Sequence, residues 1–306
     1  MQRKVELIRE VRIRFGGGPG NGMAALQKLL RQRIAQGLNW LSIQAQPTGP
    51  DVLPWFWHWG DRQQAVEWNA KGLPFVEGPN MLFINSRMPR IDVLESALLD
   101  AAHCRAMFCH SEWYRDMIAK HRGPANQSPI VLWPYPIDPW PEGPTGDKYD
   151  LLIYVKNGVP PGLPEYLANR FQPSILVRYG SYRREELYDT ACNSRACVYL
   201  ADDDHGPLAL EEILLSGCPV VGVRTGAPWI QPGQTGLFVD RLPPGQPKND
   251  EDQAALTACL EAIQTVQTFS RSQVRTIAAQ QFDNTKIVDC ILAALESCRK
   301  ETKGIT

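Results

Sequence analysis

Short β-branched apolar runs alternate with amphipathic helical stretches along most of this chain, and that rhythm limits the folds open to it. VELIREVRIRF, LNWLSIQ, LPFVEG, RAMFCHS, PIVLWPYP, DLLIYVK, SILVRYG, ACVYLA and CPVVGV are each about a strand long and bounded by turn residues. Between the first two, Met23, Leu26, Leu30 and Ile34 recur at helical spacing, and Gly37 ends the pattern. RREELYDTACNS and PLALEEILLS are helical in the same sense. The alternation predicts an α/β protein whose parallel sheets are covered by helices on both faces. No period of 20–50 residues suggests a repeat array.

Trp133 to Asp150, WPYPIDPWPEGPTGDKYD, holds five prolines and two glycines and cannot be helical. It predicts a boundary between one α/β domain over residues 1–140 and another over 141–306. DRLPPGQPKNDEDQ opens a final helical region without an intervening strand. Those helices are expected either outside the second sheet or back on the first domain.

With 43% hydrophobic and 21% charged residues, the 306-residue chain suits a core-forming protein. A net charge of −1 gives no argument for nucleic acid. MQRKVELIREVRIRF has no apolar signal core, and no run approaches the roughly 18 apolar residues of a spanning helix, so a cytoplasmic location is expected. Most of the eight cysteines lie among apolar residues and none forms C-x-x-C, which predicts buried thiols rather than disulfides. His103-Cys104 and Cys109-His110 lack the usual zinc spacing, and no metal is expected there.

Two loops could carry chemistry. FGGGPGNG follows a strand and opens a helix, where glycine lets backbone N–H groups approach an anion. It is neither G-x-G-x-x-G nor a P-loop. ADDDHGPLALEE puts five carboxylates into eleven residues between a strand and a helix, with Pro207 expected at the first helical position and Gly217 closing the helix. Asp204 then stands at the C-terminal end of a strand, where open α/β sheets bind ligands, and Glu212 follows eight positions later. At 1.5 Å per residue the two are roughly 12 Å apart if all is helix, and closer if the loop kinks. Such a pair could grip both ends of a hydroxyl-rich ligand. Spacing alone equally allows a solvated N-cap cluster, or Asp202 and Asp204 holding Mg²⁺ or Mn²⁺.

The stretch from Asp204 to Val221, DHGPLALEEILLSGCPVV, resembles the E-G-F-G-L-x-x-L-E-A-M-A-x-G-x-P-V-V signature of retaining glycosyltransferases of family four. TGAPWIQPGQTGLFVD resembles the block that follows it, with Trp229 where a glutamate is common. FGGGPGNG, HCRAMFCHSEWYRDMIAK, VLWPYPID and QQFDNTKIVDCILAAL resemble further landmarks of that family in the same order. The resemblance implies the GT-B fold: two Rossmann-like parallel-sheet domains facing across a cleft, acceptor side first and donor side second, the last helix crossing back to the first domain. It implies transfer of a hexose from a nucleotide diphosphate sugar to an acceptor hydroxyl in glycan or polysaccharide biosynthesis, with retention and no obligatory metal or other cofactor.

Carried over by position, the resemblance gives Asp204 the hydroxyls of the hexose and Glu212 both ribose hydroxyls. His205, Gly206, Pro207 and Leu208 would face the sugar or diphosphate, and Lys156 would neutralise diphosphate charge. Tyr182 would bracket the base, and Gly16, Gly17 and Gly18 would face donor phosphate and acceptor. Asp202 and Asp203 are expected mostly in solvent. A lysine usually found a few residues after the Lys156 position is missing from NGVPPGL. Where many members have a histidine, FVEGPN leaves Asn80 or Glu77 on the acceptor side. A non-catalytic nucleotide- or glycan-binding module and a metal-dependent D-x-D transferase are the alternatives. Lys28, Arg31 and Arg33 offer peripheral contact with an anionic membrane, as in some relatives, or a solvated helix face, which is preferred.

Overall fold

The fold is seen in a computed structural model that describes residues 8–13, 20–43, 51–82, 91–138 and 142–300. The chain divides into two compact units, Met1–Ile137 with Asn284–Thr306, and Asp138–Asp283.

The first unit is built on β1 (Glu10–Ile13), β2 (Leu41–Ile43), β3 (Val52–His58), β4 (Phe75–Asn80), β5 (Cys104–Cys109) and β6 (Ile130–Leu132). These run in the order β2-β1-β3-β4-β5-β6, every pairing parallel. Its helices include α1 (Gly20–Ala35), α2 (Arg62–Ala70), α3 (Val93–Leu99) and α4 (Glu112–His121). The sequence pattern predicts no strand over 52–58, yet β3 lies at the centre of this sheet. Pro54 hides it, because proline cannot donate to a ladder and argues against a central strand. VLPWFWH is nevertheless buried up to His58, and such a continuous apolar run suits a parallel strand covered on both faces. Trp55 stacks on Phe108 at 4.6 Å, and Trp57 packs against Trp133 at 5.9 Å. α3 starts with a reciprocal cap: Glu95 N donates to Asp92 Oδ1 at 2.8 Å, and Asp92 N to Glu95 Oε2 at 3.1 Å. Cys104 and Cys109 are buried in β5, each thiol donating to a backbone carbonyl.

In the second unit, β7 (Leu151–Asn157), β8 (Ser174–Arg178), β9 (Cys197–Ala201), β10 (Val220–Gly222) and β11 (Gly236–Phe238) form a sheet in the order β11-β10-β9-β7-β8. All pairings are again parallel. α5 (Leu163–Arg170), α6 (Arg184–Cys192), α7 (Leu208–Leu215), α8 (Asp250–Val266) and α9 (Arg271–Gln281) complete the unit. Its core joins Leu151, Ile153, Val198, Leu200 and Val221 of the sheet to Leu163 and Leu167 of α5 and Leu256, Cys259 and Ile263 of α8. β11 is a three-residue strand that the sequence pattern does not predict.

The closing helix α10 (Asn284–Lys300) belongs to the first unit. Asn284 holds the end of that unit's main segment twice. Its Oδ1 accepts from Ile137 N at 3.0 Å, and its Nδ2 donates to Ile137 O at 2.9 Å. Among the described residues no helix is long and apolar enough to cross a membrane.

Candidate functional site

The order of the second sheet locates its crevice. From β7 the chain goes to β8 on one side and to β9 on the other, so the strand order reverses between β7 and β9. Loops that leave the C-terminal ends of two such strands turn apart and leave a crevice where ligands bind. Lys156 and Asn157 end β7, and Asp202, Asp203 and Asp204 follow β9.

Asp204 is 3% exposed and is held from several sides. Lys156 Nζ lies 2.6 Å from Asp204 Oδ2. The Tyr199 hydroxyl donates to the same oxygen at 2.8 Å, and Gly206 N donates to Oδ1 at 3.2 Å. The lysine and the carboxylate expected to meet different parts of a ligand are thus a direct ion pair. The loop around them is fixed by backbone contacts. Asp204 N donates to Thr225 O at 3.0 Å, and Thr225 Oγ1 donates to Asp202 O. Asn157 Nδ2 donates to both Asp203 O and Asp203 Oδ1 at 3.2 Å. Asp202 and Asp203 are therefore half-buried and tied down rather than mostly in solvent, because β7 and the 225 loop close on them. A Cβ on Gly226 would meet Ala201 O at 1.8 Å, so only glycine lets the 225 loop pass so close to the end of β9.

Glu212 lies on α7, also 3% exposed. Arg184 Nε donates to its Oε1 at 2.6 Å. Arg184 Nη2 donates to the Tyr188 hydroxyl at 3.0 Å and to Asp138 O at 2.6 Å. Burial pushes Glu212 up to about 7, against the pull of the Arg184 charge. α7 opens at Leu208, one place later than expected, with Pro207 as its N-cap rather than its first residue, and Gly217 follows its end with φ at 77°. Only five of the eight residues from His205 to Glu212 are helical, so the all-helix spacing does not describe this pair.

Tyrosines line this edge. Tyr154 of β7 and Tyr199 of β9 are register partners and stack at 4.8 Å. The Tyr182 hydroxyl meets that of Tyr154 at 3.1 Å, and burial pushes the Tyr182 phenol up to about 12. Glu212 and Asp204 both act electrostatically on Tyr182, which puts the three in one neighbourhood. The Lys156 ammonium stands 5.1 Å from the exposed Tyr179 ring. The fold thus assembles Lys156, Tyr182, Asp204, His205, Gly206, Pro207, Leu208 and Glu212 at one edge of one unit. Sequence reasoning missed Tyr154, Tyr199 and Arg184. Two tyrosines in otherwise aliphatic strands were the available signal for the first two; Arg184 carries none.

In the first unit, Gly16, Gly17 and Gly18 lie outside the described residues, as does the side chain of Asn80 at the end of β4. Glu77 is 1% exposed, with no hydrogen-bond partner for either carboxylate oxygen among the described residues, and its burial pushes it up to about 8. It borders a cavity of about 10 Å³ lined also by Pro79, Met107, Tyr114 and Ile118. No group of three His, Cys, Asp or Glu side chains among the described residues is placed to hold a metal ion.

No family model matches the chain, and no curated protein matches it in sequence. Solved structures do match. Sucrose-phosphate synthase of Thermosynechococcus elongatus superposes with a TM-score of 0.60 at 12% identity, covering 94% of this chain and 98% of that one. The lipopolysaccharide outer core galactosyltransferase WaaB gives 0.60 at 10% identity, over 94% and 99%. The fold is GT-B. HepE of Anabaena, solved in complex with UDP and glucose, shares the GT-B architecture at a TM-score of 0.56 and 13% identity, over 94% of this chain and 100% of that one. TarM aligns with 80% of this chain at 0.53 and 12%, and the chain spans only 55% of its length. Identities this low carry the GT-B fold and leave function to the site.

Proposed function

We propose that this chain is a glycosyltransferase that moves a hexose from a nucleoside diphosphate sugar to an acceptor hydroxyl. The observation that carries the reading is the pair of buried carboxylates, Asp204 and Glu212, beside Tyr182 at the crevice between β7 and β9. A nucleoside offers two ribose hydroxyls and a hexose offers several, and carboxylates are the side chains suited to accept from both. Its GT-B neighbour HepE has been solved with UDP-glucose, which supports a donor of this class.

In this reading Glu212 accepts from the ribose, Tyr182 packs beside the base, and Asp204 orients the hexose. The N–H groups of His205, Gly206 and Leu208 at the start of α7 face the diphosphate, where the helix dipole favours negative charge. Pro207 has no N–H and shapes the turn. Lys156 and the Gly16–Gly18 loop add charge compensation as the diphosphate departs. The bond from the sugar C1 to the diphosphate oxygen breaks, the acceptor oxygen bonds to C1 on the same face, and the acceptor proton passes to the leaving oxygen. This outcome is retention and needs no protein nucleophile or obligatory metal. Asn80 belongs to the acceptor side, the product is a glycan or polysaccharide, and the location is cytoplasmic, with any membrane contact peripheral.

A second reading, a nucleotide- or glycan-binding module without turnover, draws on one observation. Lys156, the only base the motif supplies for the diphosphate, is already engaged by Asp204. Incubation with UDP-, ADP-, GDP- and dTDP-hexoses and an oligosaccharide mixture separates the two. Release of nucleoside diphosphate with an α-linked product from an α-linked donor supports transfer with retention, and a β-linked product removes retention. Binding without release leaves the module reading, and loss of release in EDTA transfers the chemistry to a metal held by Asp202 and Asp204.

A further inference from the structure

Arg184 has no role in the functional reading, yet its guanidinium is bonded to Glu212. Its guanidinium is committed on three sides: to Glu212 Oε1 at 2.6 Å, to the Tyr188 hydroxyl at 3.0 Å, and to the carbonyl of Asp138 at 2.6 Å. It also lies over the Tyr188 ring, 5.1 Å from the centroid. Asp138 is the first residue of the second unit, so one guanidinium fastens Glu212 to the segment by which the chain enters that unit. A planar fork with several fixed donors can do this, whereas a lysine ammonium offers a point charge on a loose stem.

Resting on the donor reading above, we infer that Arg184 is a positioning residue for nucleotide recognition, holding Glu212 in one orientation and in its charged form. A charged carboxylate accepts from two ribose hydroxyls; a protonated one spends an oxygen as a donor. Burial already brings Glu212 to about 7 with Arg184 beside it. The other titratable groups that act on it are Glu185, Tyr188 and Tyr182, with Glu211 next in the chain. Arg184 is the one cation among these groups. Without it, burial acts on Glu212 unopposed by that charge, its protonation moves to higher pH, and the grip on the ribose weakens at neutral pH.

The test is calorimetric titration of the full chain with UDP-, ADP-, GDP- and dTDP-glucose from pH 5.5 to 9.5, a range in which a diphosphate diester does not ionise. Wild type, Arg184→Ala, Arg184→Lys and Glu212→Gln are compared. Wild type is expected to bind one of the four, with affinity falling below about pH 7. Arg184→Ala is expected to bind about ten- to a hundredfold more weakly at pH 7, the scale of one lost hydrogen bond to a charged group. Its pH midpoint moves upward, so that much of the affinity returns by pH 9.5. Arg184→Lys keeps the wild-type midpoint with intermediate affinity, which a merely structural role would not produce and which serves if the alanine variant does not fold. An unchanged midpoint in Arg184→Ala, or wild-type affinity in both Arg184 variants while Glu212→Gln binds poorly, overturns the role of Arg184 and leaves the donor reading standing. Wild-type chain that binds none of the four overturns both.

Discussion

Lys156 Nζ and Asp204 Oδ2 are 2.6 Å apart, with the lysine partly exposed and the aspartate almost wholly buried. The two come from the ends of β7 and β9, adjacent strands between which the order of the sheet reverses. Removing the lysine leaves a carboxylate in a site from which water is largely excluded. Lys156→Ala is expected to destabilise the second unit by about 1–3 kcal/mol, below the cost of breaking a fully buried pair because Lys156 reaches solvent. The double variant Lys156→Met/Asp204→Asn should recover part of that loss. Urea unfolding of Lys156→Met, Asp204→Asn and the double gives the coupling, and a coupling near zero would contradict the pairing.

The Tyr199 hydroxyl donates to the same oxygen at 2.8 Å. Tyr199→Phe keeps the ring stacked on Tyr154 and removes only that donor. It should cost about 1.5–3 kcal/mol, the range for a hydrogen bond to a charged group. It should also raise the KM for the donor sugar, read in the same assay as nucleoside diphosphate release.

Much of this arrangement was legible in the sequence. The alternation of strands and helices predicts two parallel sheets, and the strand, acidic loop, helix and strand from ACVYLA to CPVVGV lie where their patterns put them. What could not be read has physical reasons. β3 is a continuous apolar run of the kind a doubly covered parallel strand shows, but Pro54 within it argues against a central strand and outweighs that signal. Tyr154 and Tyr199 meet only through the register of β7 and β9, and Arg184 reaches Glu212 across 28 residues through the packing of α6 on α7. Such neighbours are set by tertiary pairing, which local spacing does not encode.

Gly226 tests how tightly the acidic loop must be held. A Cβ there would lie 1.8 Å from Ala201 O. Gly226→Ala must push the 225 loop off the end of β9 and loosen the Thr225 contacts to Asp202 and Asp204. The expected cost is about 1–3 kcal/mol, the usual scale of overpacking. Thermal unfolding measures it, and nucleotide affinity should fall with it.

Glu77 gives the first unit a pH dependence of its own. Burial raises its pKa in the folded chain to about 8, from 4.5 when exposed. Its contribution to stability is complete below about pH 4.5 and is lost as pH rises through about 8, because the unfolded chain ionises first. Each pH unit between those two values is worth about 1.4 kcal/mol, so the loss amounts to a few kcal/mol. Glu77→Gln should flatten this slope and stabilise the protein at pH 9, seen as a wild-type-minus-variant difference in urea midpoints across pH 4–9.

The most direct test of the account is thermal unfolding with UDP, GDP, ADP and dTDP, each at about 100 times a low-micromolar dissociation constant, on wild type and Glu212→Ala. Ligand at that excess adds about 2.7 kcal/mol to the state that binds it, a rise of several degrees in midpoint. A rise is expected with one nucleotide and is expected to disappear in Glu212→Ala. No rise with any of the four, or a rise that survives the loss of Glu212, would contradict it.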